Sequence, residues 1–182
     1  MSANAPVGLC RPTILPANPL VKTESLDQPA CLNPLVPCSL SLVPSTIIGM
    51  KPTDPCICGS EKPFGKCCEP FLSHKAKPKT VKQLVRSRYA AYALGGEGHR
   101  EYLIRTWHPA TAKNIQMADL IAEGHTWTGL EIIDFRQKGD LGRVEFKATY
   151  CVDDGPPQVH HEVSAFHRHQ GTWLYLEGDI QE

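Results

Sequence analysis

Beyond residue 79 the apolar positions follow first a helical and then a two-residue period. Val81, Leu84, Val85, Tyr89 and Tyr92 recur at helical spacing, Thr80 stands in front of them as an N-cap, and Gly95-Gly96 supplies a stop, so the pattern predicts a helix over Val81–Leu94. Gly98–Trp107 reads as a second helix closed by His108-Pro109. Thr111–Glu123 reads as a third, with Ile115, Leu120 and Ile121 turned inward and Gly124 behind it. After Gly124 the period becomes two. Trp127–Phe135 is a strand, and Val144, Phe146, Ala148 and Tyr150 alternate with Glu145, Lys147, Thr149 and Cys151 in another. Val159–Arg168 and Trp173–Glu177 give two more, joined by a turn at Gln170-Gly171. Three helices followed by a four-strand antiparallel sheet predict an α+β layering in which the helices cover the apolar face of the sheet.

The first 49 residues break both patterns. Of 16 prolines, 8 fall before Met50, spaced so that no helix or strand of ordinary length fits between them. The expectation is a disordered, Pro-rich leader over residues 1–49, with Met50 a candidate start of translation that would leave those residues untranslated. The longest proline-free apolar run there, Cys38 to Val43, is too short for a membrane span or for the apolar segment of a signal peptide. Arg11 and Lys22 are balanced by Glu24 and Asp27, a poor fit to a transit peptide. Neither span nor secretion is therefore expected, and the predicted location is cytoplasmic.

A chain of 182 residues with 19 basic and 19 acidic side chains excludes a large multidomain enzyme and wholesale electrostatic attraction to nucleic acid. The charge is unevenly placed. From Lys62 to Arg88 there are eight basic residues against Glu69 alone, whereas from Tyr89 to the end acidic residues outnumber basic ones by 14 to 8. Two readings of the basic segment 62–88 stand: a solvated lysine-rich linker between two modules, or a contact for an anionic partner. Only Phe64 and Phe71 interleave the early basic residues, which argues against single-stranded RNA as first choice.

Four of the 8 cysteines lie within Cys56-Ile-Cys58-Gly-Ser-Glu-Lys-Pro-Phe-Gly-Lys-Cys67-Cys68. A short glycine-containing loop between two cysteine pairs can wrap a tetrahedral ion held by four soft ligands. Cys56, Cys58, Cys67 and Cys68 are thus expected to hold a structural Zn2+, with no position left open for a reacting water. Gly59 and Ser60 can turn N–H groups toward the sulfurs, and Lys62 and Lys66 can offset a four-thiolate charge. A redox or unligated cluster is the alternative. Cys10, Cys31 and Cys38 fit no metal spacing, and Cys151 reads as packing within a strand.

The pieces Cys56-x-Cys58-Gly59-Ser60-x-Lys62-x-Phe64-x-x-Cys67-Cys68 resemble a SEC-C motif, the small zinc module also found at the C-terminus of the preprotein translocase ATPase. Its fourth position is commonly His, and here it is Cys68. Downstream, Leu84-x-Arg86-Ser87-Arg88-Tyr89-x-x-Tyr92, Thr106-Trp107-His108-Pro109, Trp127-x-Gly129-Leu130-Glu131, His161-Glu162-x-Ser164-x-Phe166-x-Arg168 and Gly171-x-Trp173-x-Tyr175 together resemble the bacterial YchJ-like family. Glu177-Gly178 stands where that family tends to read Asp-Gly. The resemblance implies a SEC-C motif over 50–77 joined to a nuclear-transport-factor-2-like domain over 78–182, a cone of about three helices against a curved four-strand antiparallel sheet.

Such a cone often encloses a cavity. Alternation puts His160, Glu162, Ser164, Phe166 and Arg168 on one face of their strand, with the more apolar set His161, Val163, Ala165 and His167 on the other. Because the resemblance features Glu162, Ser164 and Phe166, the polar-aromatic face is expected to line a cavity or to hold a buried network with Arg86 or Arg88. The candidate pocket residues are Arg88, Tyr92, Trp107, Glu131, Glu162, Ser164, Phe166 and Trp173. A buried Arg88 would demand a carboxylate, for which Glu162 and Glu131 are the candidates. No Walker loop, dinucleotide fingerprint, H-E-x-x-H or G-x-S-x-G occurs, and no catalytic residue is assigned. The functional expectation is an adaptor that binds a protein or an anionic surface through the zinc motif and segment 62–88, connected by resemblance with protein export or quality control; RNA is a weaker partner. The alternative is a small-molecule carrier or an enzyme of the cone, with Glu162, His161 or His108 as acid or base.

Overall fold

The computed structural model describes residues 49–113, 115, 116 and 120–181, so the predicted leader lies, apart from Gly49, outside the described residues. A 3-10 turn, Phe64–Lys66, leads into α1 (Glu69–Leu72); α2 (Val81–Leu94), α3 (Glu97–Arg105) and α4 (Pro109–Ala112) follow. The sheet is built from β1 (His125–Lys138), β2 (Leu141–Val152), β3 (Gln158–His169) and β4 (Thr172–Ile180).

Helix α2 occupies the predicted span. The Thr80 hydroxyl accepts from the Gln83 amide while the Gln83 side chain accepts from the Thr80 amide, each at 3.2 Å, so two of the free N–H groups at the helix start are satisfied reciprocally. Its apolar stripe, Val81, Leu84, Val85 and Tyr89, is buried. Helix α3 stops before Trp107 because the chain there turns onto the sheet. Trp107 forms a parallel bridge with Tyr175, and the amides of His108 and Tyr175 bond to the carbonyls of Tyr175 and Thr106 at 2.7 and 2.9 Å. The third predicted helix, Thr111–Glu123, falls partly outside the described residues; what is described is the single turn α4, begun by His108 and Pro109, and a buried Leu120.

All four strands pair antiparallel with their sequence neighbours in the order β1-β2-β3-β4. Register irregularities at Trp127/Gly129 and Ile132/Asp134 of β1 and at Ala165/Phe166 of β3 bend the ladder. The strands outrun the predicted spans because their ends are hydrogen-bonded but carry polar residues, as in Arg136, Gln137 and Lys138 of β1. Helix α2 crosses the concave face so closely at β2 that a side chain on Gly142 would collide with Val81. Val81, Leu84, Leu103, Val144, Phe166 and Trp173 fill the centre of the core, and Cys56, Cys58, Phe64, Cys68 and Leu72 are packed into the same cluster.

Candidate functional site

Two sets of side chains carry chemistry. The first is the cysteine cluster. Pro55 and Pro63 pair across a tight loop in which the Cys56 amide donates to Lys62 (2.9 Å), Gly59 to Cys56 (3.0 Å) and Phe64 to Asp54 (2.8 Å). The 3-10 turn then delivers Cys67 and Cys68, the Cys67 amide bonding to the Phe64 carbonyl at 3.0 Å. The four Sγ atoms lie within 4.8 Å of one another, with Cys58–Cys67 at 3.6 Å and Cys67–Cys68 at 3.9 Å. A zinc–sulfur bond of about 2.3 Å gives a tetrahedron with sulfur–sulfur edges of roughly 3.8 Å, so four soft donors at these separations fit such an ion. All four are free of disulfides, and three are buried.

The electrostatics agree with a cation site. Hydrogen bonds from Cys56 and then Cys68, with help from Ser60 and Arg86, hold the Cys58 thiol far below the ordinary thiol range, while its partners are pushed up, Cys56 to about 12 and Cys68 further. Thiol groups this close together are donors that a divalent cation can hold in place of protons. Ser60 Oγ lies 3.0 Å from Cys67 Sγ. Arg86 reaches across from α2, its Nη1 at 2.5 Å from the Cys58 carbonyl and 3.7 Å from Cys58 Sγ. The expected network between Arg86 and the Glu162 face does not form, because this side chain leaves α2 on the side of the cysteine loop.

The second set lines a cavity of about 50 Å³ between α2 and the sheet. Arg88, Tyr92, Trp107, Glu162, Ser164 and Phe166 all border it. The Glu162 carboxylate, 4% exposed, accepts from Ser164 Oγ (2.5 Å) and Tyr175 Oη (3.1 Å) on one oxygen and from His160 Nε2 (2.8 Å) on the other. Gly178 makes the room: a Cβ there would collide with the Glu162 carboxylate and stand 2.6 Å from Tyr175 Oη. Burial, and then the neighbouring Glu162 charge, push the Tyr175 phenol far up, so it remains a donor. The polar-aromatic face of β3 is the inner one because its polar groups satisfy one another.

Arg88 is 6% exposed, yet no carboxylate bonds to it. Its Nη1 donates to the Leu103 carbonyl (2.9 Å) and the Thr106 hydroxyl (2.8 Å), and the guanidinium sits 4.8 Å from the ring centres of both Trp107 and Tyr175. Two neutral acceptors and two aromatic faces replace the expected ion pair with Glu162 or Glu131. Glu131 is exposed and opposite Lys147, since Leu130 and Ile132 take the inward positions of β1. Trp173 is buried outside this cavity, its indole donating to the Lys79 carbonyl at 3.2 Å and its ring under the Arg168 guanidinium.

Of the candidate acid–base groups, only Glu162 is inside. His161 points to the other sheet face and bonds to Glu145 at 3.1 Å. His108 caps α4, its Nδ1 accepting from the Ala110 amide at 3.2 Å. His160 and Tyr175, which also border the cavity, are not among the candidate pocket residues read from the sequence. The two-residue alternation with Glu162 carried the signal for His160, and nothing local carried it for Tyr175 or for the contact of Arg86 with a loop 28 residues away.

The basic segment has no single role. Lys62 and Lys66 from the cysteine loop and Lys82 and Arg86 from α2, with Glu61 as the one acidic residue among them, line a groove of about 410 Å³ that reaches Cys67. Lys77 bonds to Thr172 at 3.2 Å, and Lys75 lies 3.5 Å from Glu69 in an exposed pair of small energetic weight.

An α+β cone over a four-strand meander, with a four-cysteine loop docked on its long helix, defines a SEC-C motif joined to an NTF2-like domain. A family model described as "YchJ, middle NTF2-like domain" matches residues 80–178, and the SEC-C motif matches residues 53–70. The chain belongs to the UPF0225 family, the YchJ-like proteins expected from its sequence. It is 39% identical over 139 residues to a UPF0225 protein of Ralstonia nicotianae, covering 71% of this chain and 93% of that one. It is 38% identical over 132 residues to one of Streptomyces coelicolor, covering 71% and 98%. The solution structure of a SEC-C motif containing protein from Rhodopseudomonas palustris superimposes with a TM-score of 0.64 at 33% identity, over 71% of this chain and 100% of that one. No helix among the described residues is long and apolar enough to cross a membrane.

Proposed function

We propose that the protein is a cytoplasmic, non-catalytic adaptor whose structural Zn2+, held by Cys56, Cys58, Cys67 and Cys68, shapes a basic groove for an acidic protein segment. In this reading residues 50–77 form the metal unit and 78–182 the cone that carries it. The groove is the observation behind the proposal: two lysines of the cysteine loop and two cations of α2, against Glu61 alone, line one surface beside the metal ligands. Charge complementarity selects an acidic partner, and the SEC-C motif connects it with protein export or quality control.

The test uses the zinc-loaded full chain and a labelled glutamate-rich peptide. Binding should weaken as salt rises and fall at least tenfold in the Lys62→Glu/Lys66→Glu variant. Replacing Cys56 and Cys58 with Ser should abolish zinc and peptide binding together. Unchanged capture after zinc loss would overturn the mechanism, and stronger retention of single-stranded RNA or phosphatidylglycerol vesicles would overturn the choice of a protein partner.

A further inference from the structure

A second basic surface lies at the β3–β4 hairpin and shares no residue with the groove beside the cysteines. The segment leading into α2 passes this hairpin, and Lys77, Lys79 and Arg168 line a groove of about 460 Å³ together with Gly171 of the turn and Trp173. No acidic residue lines it. None of the three cations has a carboxylate within ion-pair distance among the described residues, whereas the neighbouring Lys75 is paired with Glu69. Two of the three are held in place. Lys77 Nζ donates to Thr172 Oγ1 at 3.2 Å. The Arg168 guanidinium lies 4.5 Å from the ring centre of Trp173, a residue 1% exposed whose indole in turn donates to the Lys79 carbonyl at 3.2 Å. One buried ring therefore seats the arginine and anchors the backbone of Lys79. Arg168 Nε is closed off from solvent, but the two outer nitrogens of the fork donate to no described residue and stay open.

We propose that this groove binds a phosphomonoester dianion, its terminal oxygens received by the outer nitrogens of Arg168 and by the Lys77 and Lys79 ammonium groups. A planar fork with free donors matches phosphate oxygens in pairs, and ammonium groups add point charges without fixed direction. Three cations without a counter-charge call for more negative charge than a carboxylate or a phosphodiester carries. A phosphomonoester carries about −1.5 to −2 near neutral pH. The face of Trp173 is taken by Arg168, so it offers no platform for a second ring, and recognition rests on the phosphate group. Lys77 and Lys79 are exposed, which leaves the remainder of the ester free to extend into solvent.

A proton–nitrogen NMR titration of the zinc-loaded full chain with glycerol 3-phosphate reads this directly. The Gly171 amide and the Trp173 indole N–H should shift saturably, while the Trp107 indole N–H, in the cone interior, stays in place. Dimethyl phosphate, a monoanion, should bind more weakly by about tenfold. Arg168→Gln should weaken glycerol 3-phosphate by about tenfold; if that variant does not fold, Lys77→Gln/Lys79→Gln, at two exposed positions, should give a comparable loss. Retention on phosphatidic acid vesicles that is lost in Lys77→Gln/Lys79→Gln, without binding of the soluble ester, would assign the same chemistry to a lipid headgroup. Neither shifts at millimolar ester nor such retention, or an equal loss from Lys147→Gln on the outer face of the sheet, would overturn the proposal and leave a solvated basic surface. Lys62→Glu/Lys66→Glu should still bind the ester, so this inference and the adaptor reading stand or fall separately.

Discussion

Glu162 and Gly178 are coupled by geometry. The carboxylate is buried because Gly178 of β4 presents no side chain where its oxygens lie, and Ser164, Tyr175 and His160 supply the donors that replace water. Adding a methyl group at residue 178 forces the carboxylate out of this arrangement. Gly178→Ala should therefore destabilise the protein by about 1–3 kcal/mol in urea denaturation. With Glu162→Ala already in place much of that clash is gone, and the double-mutant cycle should show a coupling of about 1 kcal/mol or more. Simple additivity would mean that strand β4 moves to accommodate the methyl group. Alternation in the sequence put Glu162, Ser164 and Phe166 on one face and could not say that this was the buried one. Hydropathy favours the opposite face, and while His160 and Ser164 share the strand of Glu162, the Tyr175 hydroxyl and the space left by Gly178 come from β4.

At the level of elements, legibility followed local chemistry. Helix α2 announces both its ends through Thr80-x-x-Gln83 and Gly95-Gly96, and it forms as predicted. The segment after Trp107 does not, because tertiary pairing of Trp107 and His108 with β4 decides where the chain leaves α3. His108 begins the next turn by accepting with Nδ1, a role open only to the unprotonated ring. Its basicity is lowered from the ordinary 6.5 by desolvation, then by His167 and His169, whose rings lie 5.5 and 6.1 Å from it. A base whose folded value is depressed binds fewer protons folded than unfolded. Its contribution is complete above the unfolded value of 6.5 and is lost as pH falls below it toward the folded value. Stability measured between about pH 8 and about pH 5 should drop more in the natural protein than in His108→Asn, which keeps an N-cap acceptor that does not titrate. Identical pH profiles would assign the capping bond no energetic role.

For the molecule as a whole, the sequence announced a metal loop and a cone but not how they meet. The meeting is made by side chains far from the loop in the chain: Arg86 of α2 on the Cys58 carbonyl, and Tyr89. The Tyr89 phenol is raised to about 12, by burial and then by the Cys58 charge. The loop buries Cys56, Cys58, Phe64, Cys68 and Leu72, too little apolar surface to hold some 25 residues without an ion, a scale at which small folds need metals or disulfides. The cone supplies the larger share of the common core, around Leu84, Val144, Phe166 and Trp173. Removing the metal should therefore melt one part and leave the other. After chelation, amide exchange should accelerate at Cys56, Gly59, Phe64 and Cys67, whose N–H groups bond within the loop, while the β2–β3 ladder around Val144 and Ala148 stays protected. Loss of protection across the sheet at the same rate would show that loop and cone unfold as one cooperative unit, and Arg86 and Tyr89 would then be the contacts that carry the coupling.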